Sequence, residues 1–271
     1  MIIATEDTDV FILCLAFSKK ISSNLYMKCS TQNRTRYLDI TRLVSAIGDG
    51  VCQALVGLHT FTGCDSVSAF AGRGKLGALK KLKRDQNYQR AFGELGKSWD
   101  LSTVLFQDLQ QFTCEMYAPS SNTAQVNKLR YELFCAKRGE ADSSQLPPCE
   151  DSLRMHSQRA NYQAAIWRRS LQCAPNVPHP KDHGWTVNKD GQLEINWICG
   201  LPAPLAVLEL LSCKCARVCK LPDCTCLANG LKCTDMCKLK TCANQKLDEE
   251  ESALDTDYYS KENNNEDYDI E

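Results

Sequence analysis

Eight cysteines lie between Cys213 and Cys242, in the order Cys213-Lys-Cys215-x3-Cys219-x4-Cys224-Thr-Cys226-x6-Cys233-x3-Cys237-x4-Cys242. Thiolates are soft, charged donors that suit a tetrahedral zinc ion. A Cys-x-Cys pair holds two donors so close that one sulfur can serve two ions. The spacing therefore predicts a small metal cluster rather than a single finger. Lys214, Arg217, Lys220, Lys232, Lys238 and Lys240 lie between the ligands, where they offset thiolate charge and present a basic surface. A secreted disulfide scaffold would spread its cysteines through a short chain behind a signal peptide. Here Glu6, Asp7 and Asp9 interrupt the first apolar stretch and no basic segment precedes it, so a signal peptide is not expected. Metal in a reducing compartment is the favoured reading.

A second constellation lies at the other end of the chain. Thr5-Glu6-Asp7-Thr8-Asp9 follows a short apolar run. Two carboxylates at i and i+2 can share a hard divalent ion, Mg²⁺ or Mn²⁺, of the kind that phosphodiester cleavage uses in pairs. The same residues also serve ordinary turn and helix-cap chemistry. Further on come Gly63-Cys64-Asp65 and Gly72-Arg73-Gly74, then Lys75, Lys80, Lys81, Lys83 and Arg84. Asp65 reads either as a metal ligand or as a helix cap. The glycines free backbone amides to approach a phosphate, and the basic run reads either as a phosphate contact or as a solvated face. His59 reads as a core histidine.

These side chains need elements to position them. Residues 10–17 form an apolar run too short for periodicity to separate a helix from a strand. Residues 25–29 and 36–40 read as two strands around a polar turn. Residues 41–58 carry apolar positions at helical spacing, weakened by Gly48 and Gly50. Residues 63–74 read as a turn, a short helix and a glycine turn before a basic helix from Lys75. Residues 88–118 and 125–137 read as helical. Residues 151–173 read as an amphipathic helix with Leu153, His156, Ala160, Ala164, Trp167 and Leu171 on one face. Its Arg168-Arg169 pair reads as a solvated face, with phosphate contact as the alternative. His179 and His183 sit in a proline-rich loop. No apolar run reaches the length of a membrane span.

The cysteine block resembles a tesmin-type CXC domain, a cysteine-rich DNA-binding module in which nine cysteines hold three zinc ions. Cys213, Cys215, Cys219, Cys224, Cys226, Cys233, Cys237 and Cys242 match that pattern; the remaining family cysteine falls on Leu239. Eight thiolates close two tetrahedral sites without sharing, whereas three sites require four shared sulfurs or an outside ligand. The resemblance thus implies two or three zinc ions. Asp223 stands where DNA-binding members of the family often carry tyrosine, which implies contacts mainly to the DNA backbone, through Lys214, Arg217, Lys220 and Lys232.

The order of features in the first half resembles part of a PIN-like, flap-endonuclease-type nuclease. That resemblance implies Asp7, Asp9 and Asp65 as Mg²⁺ or Mn²⁺ ligands. It also implies a DNA-backbone grip by Gly72, Arg73, Gly74, Lys75, Lys80 and Lys81. The family's first acidic cluster has no counterpart here, since only Met1 to Thr5 precede the second. The expectation is a fragment, or a domain completed by a partner, without efficient nuclease activity of its own. The arrangement of the two motifs resembles a group of transposon-derived animal proteins.

The expected fold class is α/β, an incomplete nuclease half over residues 1–118. A mostly helical middle follows (119–204), then a zinc-stabilised irregular module (205–246) and a disordered acidic tail (247–271). The formal charge of −1 hides a split, because residues 248–271 hold eleven carboxylates and one lysine, which leaves about +9 on the rest. The leading expectation is a nuclear, zinc-dependent DNA-binding protein with an inactive nuclease-like region. Two alternatives stand beside it: a metal-dependent nuclease targeted by the cysteine module, and an adaptor that binds proteins through that module and the acidic tail. No membrane role is expected.

Overall fold

The computed structural model describes residues 1–31, 34–137, 142–200, 212–228, 231–234 and 237–245. The chain divides into two units, Met1–Gly200 and Leu201–Glu271. The expected acidic tail, and residues 205–211 of the expected zinc module, lie outside the described residues.

The first unit is mixed α/β. Strand β1 (Ile2–Ala4) leads through helix α1 (Thr8–Phe17) to β2 (Tyr26–Thr31), which turns into β3 (Arg34–Asp39). β1 pairs parallel with β2, Ile2 opposite Tyr26, and β2 pairs antiparallel with β3, Tyr26 opposite Asp39. A parallel neighbour needs a crossover, and α1 supplies it. That requirement resolves the ambiguous apolar run as a helix. Asp7 caps it, its Oδ1 accepting from the Asp9 amide at 2.7 Å, and Ile12, Cys14, Leu15, Ala16 and Phe17 are buried.

The helix expected over residues 41–58 is two helices, α2 (Ile40–Ile47) and α3 (Asp49–Thr62), bent by 101°. Gly48 makes the corner with φ +91°, a conformation open to glycine and costly for a side chain. Asp39 caps α2 by accepting from the Arg42 amide at 2.9 Å. α3 is the centre of the unit, with Val51, Ala54, Val56, Leu58 and Phe61 buried. Around it pack α1, α5 (Gln86–Glu94), α8 (Glu150–Arg168) and α4 (Lys75–Arg84). α6 (Thr103–Tyr117) and α7 (Val126–Ala136) extend this layer, and a hairpin of β4 (Trp185–Val187) and β5 (Leu193–Ile195) follows α8.

Two local expectations change. The short helix expected after Gly63 is a tight turn in which Cys64 and Val67 exchange backbone hydrogen bonds of 2.9 and 3.0 Å. The division at residue 118 is not a break in packing, since Leu153, Ala160 and Ala164 of α8 join Leu55, Phe61 and Phe92 in one core. Phe61 stands at its middle, in ring contact with Phe70, Phe92, Phe112 and His156. Among the described residues no single helix is long and apolar enough to cross a membrane.

Candidate metal centre

The second unit contains only one short helix among its described residues, α9 (Thr225–Ala228). Its core is sulfur. Cys213, Cys224, Cys226, Cys233 and Cys237 are buried together, and Cys215, Cys219, Cys242 and Leu227 pack against them. None of the eight cysteines is in a disulfide. The sulfurs approach as neighbours without bonding: Cys213 to Cys219 at 3.7 Å, Cys213 to Cys233 at 3.9 Å, Cys219 to Cys233 at 3.8 Å and Cys226 to Cys237 at 3.6 Å. A disulfide would need about 2.05 Å. Four sulfurs held at about 2.3 Å from one tetrahedral zinc lie about 3.8 Å apart. The observed separations fit a metal–thiolate cluster.

The sulfurs fall into three overlapping groups, each with its ligand atoms within 4.8 Å of one another: Cys213, Cys224, Cys226 and Cys233; Cys213, Cys215, Cys219 and Cys224; and Cys219, Cys233 and Cys242. Cys213, Cys224, Cys219 and Cys233 each belong to two groups. Cys237 stands against Cys226.

Backbone and side-chain donors are aimed at this sulfur. The amides of Cys213 and Thr234 donate to Cys237 Sγ at 3.5 and 3.4 Å, and the Asn244 side-chain amide donates to Cys233 Sγ at 3.3 Å. Such bonds favour the thiolate. Backbone hydrogen bonding, led by Leu227, draws the Cys224 thiol down to about 7 against the burial that opposes it. Burial pushes the Cys237 thiol up, but the amides of Cys213 and Thr234, together with the neighbouring Cys226 and Cys213 thiols, outweigh it and bring it to about 7. Burial and neighbouring thiols push Cys226 up to about 11. In Cys219 and Cys233 burial comes first and raises both thiols strongly. Thiols crowded this closely cannot all ionise without a cation among them. The cluster can hold a metal ion such as zinc.

The carboxylates of the first unit are engaged differently. Asp7 is the cap of α1. Asp9 Oδ1 lies 2.7 Å from His59 Nε2. His59 is buried and stacks on Trp167 with ring centroids 5.8 Å apart. Burial lowers the His59 pKa; the Asp9 hydrogen bond opposes that and the Lys75 charge adds to it. Asp65 is exposed in the Cys64–Val67 turn and caps no helix. Among the described residues, the close groups of three or more metal-competent side chains consist of cysteines alone.

The basic residues divide likewise. Gly72 is exposed with φ +64°, and Gly74 stands at the start of α4. Lys75 and Lys80 are exposed. Lys81 is tied to Glu115 at 2.8 Å, and Arg73 lies over the Tyr117 ring at 4.5 Å. In the second unit Lys214, Arg217 and Lys220 line one open groove of about 800 Å³ together with Val218 and Asp223. Lys232 is exposed.

Sequence reasoning missed three polar features. Arg159, a charged side chain outside the apolar face of its helix, is 2% exposed. Arg168 and Arg169 are half-buried rather than a solvated face, and their guanidiniums bind the backbone carbonyls of Gln53, Phe92, Leu95, Gly96, Lys97 and Ala165. Glu115 joins Lys81 and Tyr88. Cys199, which lies upstream of the cysteine block, contacts Met155 Sδ at 3.4 Å within the first unit. No protein-family model, curated protein or solved structure matches the chain.

Proposed function

We propose that the second unit is a zinc–thiolate module that binds DNA through its phosphates, in a nuclear protein whose first unit is a non-catalytic, nuclease-like platform. The observation that carries this reading is the groove lined by Lys214, Arg217 and Lys220 on the module's own surface. A fixed zinc–sulfur core is what would hold three cations on so short a chain at a constant spacing. Asp223 shares the groove and repels a phosphate close to it, so affinity comes from the flanking cations and is sensitive to salt. The tesmin-type resemblance points the same way.

Zinc number follows from sulfur sharing. Two ions satisfy the eight thiolates without any shared ligand, and the four cysteines common to two groups are the number that three ions require. The third group holds three sulfurs, as the replacement of a family cysteine by Leu239 would leave it. Metal-dependent nuclease chemistry has less support. Asp7 is committed to a helix cap and Asp9 to His59, and Mg²⁺ or Mn²⁺ would have to displace both arrangements.

The test uses the full chain loaded with zinc under reducing conditions. Native mass should give two or three zinc ions. Duplex DNA affinity should fall with salt and vanish on chelation. Replacing Lys214, Arg217 and Lys220 together by Gln should flatten the logarithmic salt slope by about 3. Affinity unchanged by chelation or by the triple substitution would overturn the reading. Full zinc occupancy without DNA binding at low salt would instead indicate a protein-binding module.

A further inference from the structure

The first unit has a concave surface where positive charge collects without a carboxylate. It is a cavity of about 290 Å³ between residues 68–71, the end of α6, α7 and the first half of α8. Arg130, His156, Arg159, Tyr117 and Ser152 are among its walls, and no acidic side chain lines it. Arg73 is not one of its walls but borders it through Tyr117. Its guanidinium stacks on Tyr117, and its Nε is buried without a hydrogen-bond partner.

Arg159 is the most telling of these groups. Its Nη1 donates to the carbonyls of Gly184 at 3.0 Å and Asn196 at 2.7 Å, and its guanidinium lies 5.4 Å from the Trp197 ring. Among the described residues no carboxylate pairs with Arg159, Arg130 or Arg73. A buried, unpaired cation is expensive, and a guanidinium does not escape the cost by losing its proton. Arg159 is buried, the half-buried Arg130, which donates to the Pro147 carbonyl, lines the same cavity, and the half-buried Arg73 stands beside it, so together they make a permanent positive field that carbonyl oxygens only partly offset. Such a site is complete when an anion enters it.

We propose that this cavity binds a phosphate group, either as free phosphate or as the phosphate of an ester. The planar fork of arginine matches phosphate oxygens in pairs, and the hydroxyls of Tyr117 and Ser152 add neutral donors. Burial raises the Tyr117 phenol, while Arg73 and Arg130 pull it back, so it is a protonated donor at neutral pH. The volume is at the low end of small-ligand pockets, about 300–1,000 Å³, with room for a phosphate and a small substituent. This site is independent of zinc and of the groove in the second unit.

His156 reports occupancy directly. Its Nε2 lies 2.8 Å from the Phe61 carbonyl, and burial, with Arg159 beside it, keeps the ring neutral. An anion in the cavity changes the field at the ring. The probe is inorganic phosphate, added to the zinc-loaded full chain while the imidazole resonances of the four histidines are followed by NMR. The expected result is a saturable shift at His156, with His179 unmoved. Arg130→Gln, and separately Arg73→Gln, should weaken phosphate binding about tenfold or more. These two are the less buried arginines, so either variant that keeps its dispersed spectrum serves as the test. A short single-stranded oligonucleotide with and without a 5′-phosphate distinguishes the source. A shift only with the 5′-phosphate identifies an ester end, a shift with both identifies the backbone diester, and a shift only with inorganic phosphate identifies the free ion. No His156 shift up to about 10 mM of any probe, or an equal shift in both folded variants, overturns the proposal.

Discussion

His156 carries its surroundings in its protonation. The ring is enclosed by Phe61 and Phe70, and burial brings its pKa down to about 4, against about 6.5 in an unfolded chain. Below pH 6.5 the unfolded chain therefore takes up a proton that the folded chain refuses. Stability falls as pH drops from 6.5 towards 4, by about 3 kcal/mol in all from this residue. His59, also lowered by burial, acts in the same direction. Urea midpoints measured at pH 7 and pH 5 should fall for the native sequence, and the fall should be smaller for His156→Gln. An equal fall in both would assign the acid sensitivity elsewhere. The cysteines were legible from the sequence because their spacing is local and thiolate chemistry needs nothing distant. The position of His156 on a buried face was legible for the same reason. Arg159 was not: its helix is covered on a second side, where Tyr162 donates to the Pro178 carbonyl at 2.7 Å and Arg159 to that of Gly184. Helical periodicity records only one such side.

Among the elements, α8 shows how a terminus is locked without a conventional cap. Arg168 Nε donates to the Leu95 carbonyl at 2.6 Å, and its Nη2 to those of Phe92 at 3.0 Å and Gln53 at 3.2 Å. Arg169 binds the carbonyls of Gly96 and Lys97 and lies 4.3 Å from the Trp99 ring. The ends of α3, α5 and α8 are thereby joined through one side-chain pair. Gly96 permits this approach: its φ is +84°, and a Cβ there would stand 2.5 Å from the Ala164 carbonyl carbon. Arg168→Met keeps the stem and removes the donors, leaving the part-buried carbonyls of Leu95 and Phe92 without them. It should cost about 2–4 kcal/mol in chemical denaturation. A loss below about 1 kcal/mol would mean that water replaces the guanidinium. The sequence pattern suggested a solvated arginine face because it records spacing along one helix, while the carbonyls come from another part of the chain. The bend at Gly48 escaped for a related reason: the apolar spacing runs on past the glycine, and only packing shows the chain turning there.

At the scale of the molecule, two kinds of core divide the chain. The first unit buries aromatic and aliphatic side chains around α3, while the second buries cysteines with little else. Hydrocarbon gains from leaving water by itself; crowded thiols gain chiefly by ligating metal. Chelation should therefore abolish the protection of the second unit's amides in hydrogen exchange, while the melting temperature of the first unit stays within about 2 °C. A common loss of both would show that the first unit depends on the second for its stability. Mixed α/β composition and the clustering of the cysteines were legible, since strand alternation, capping residues and cysteine spacing are short-range signals. The merging of the middle helices into the first core was not, because it depends on contacts across a hundred residues. The sharing of Cys213, Cys219, Cys224 and Cys233 between sulfur groups also makes the eight positions unequal under mutation. Loss of Cys215 or Cys242 opens one corner and leaves the other groups whole. Loss of a shared sulfur reaches two groups at once, so these four positions should tolerate substitution least.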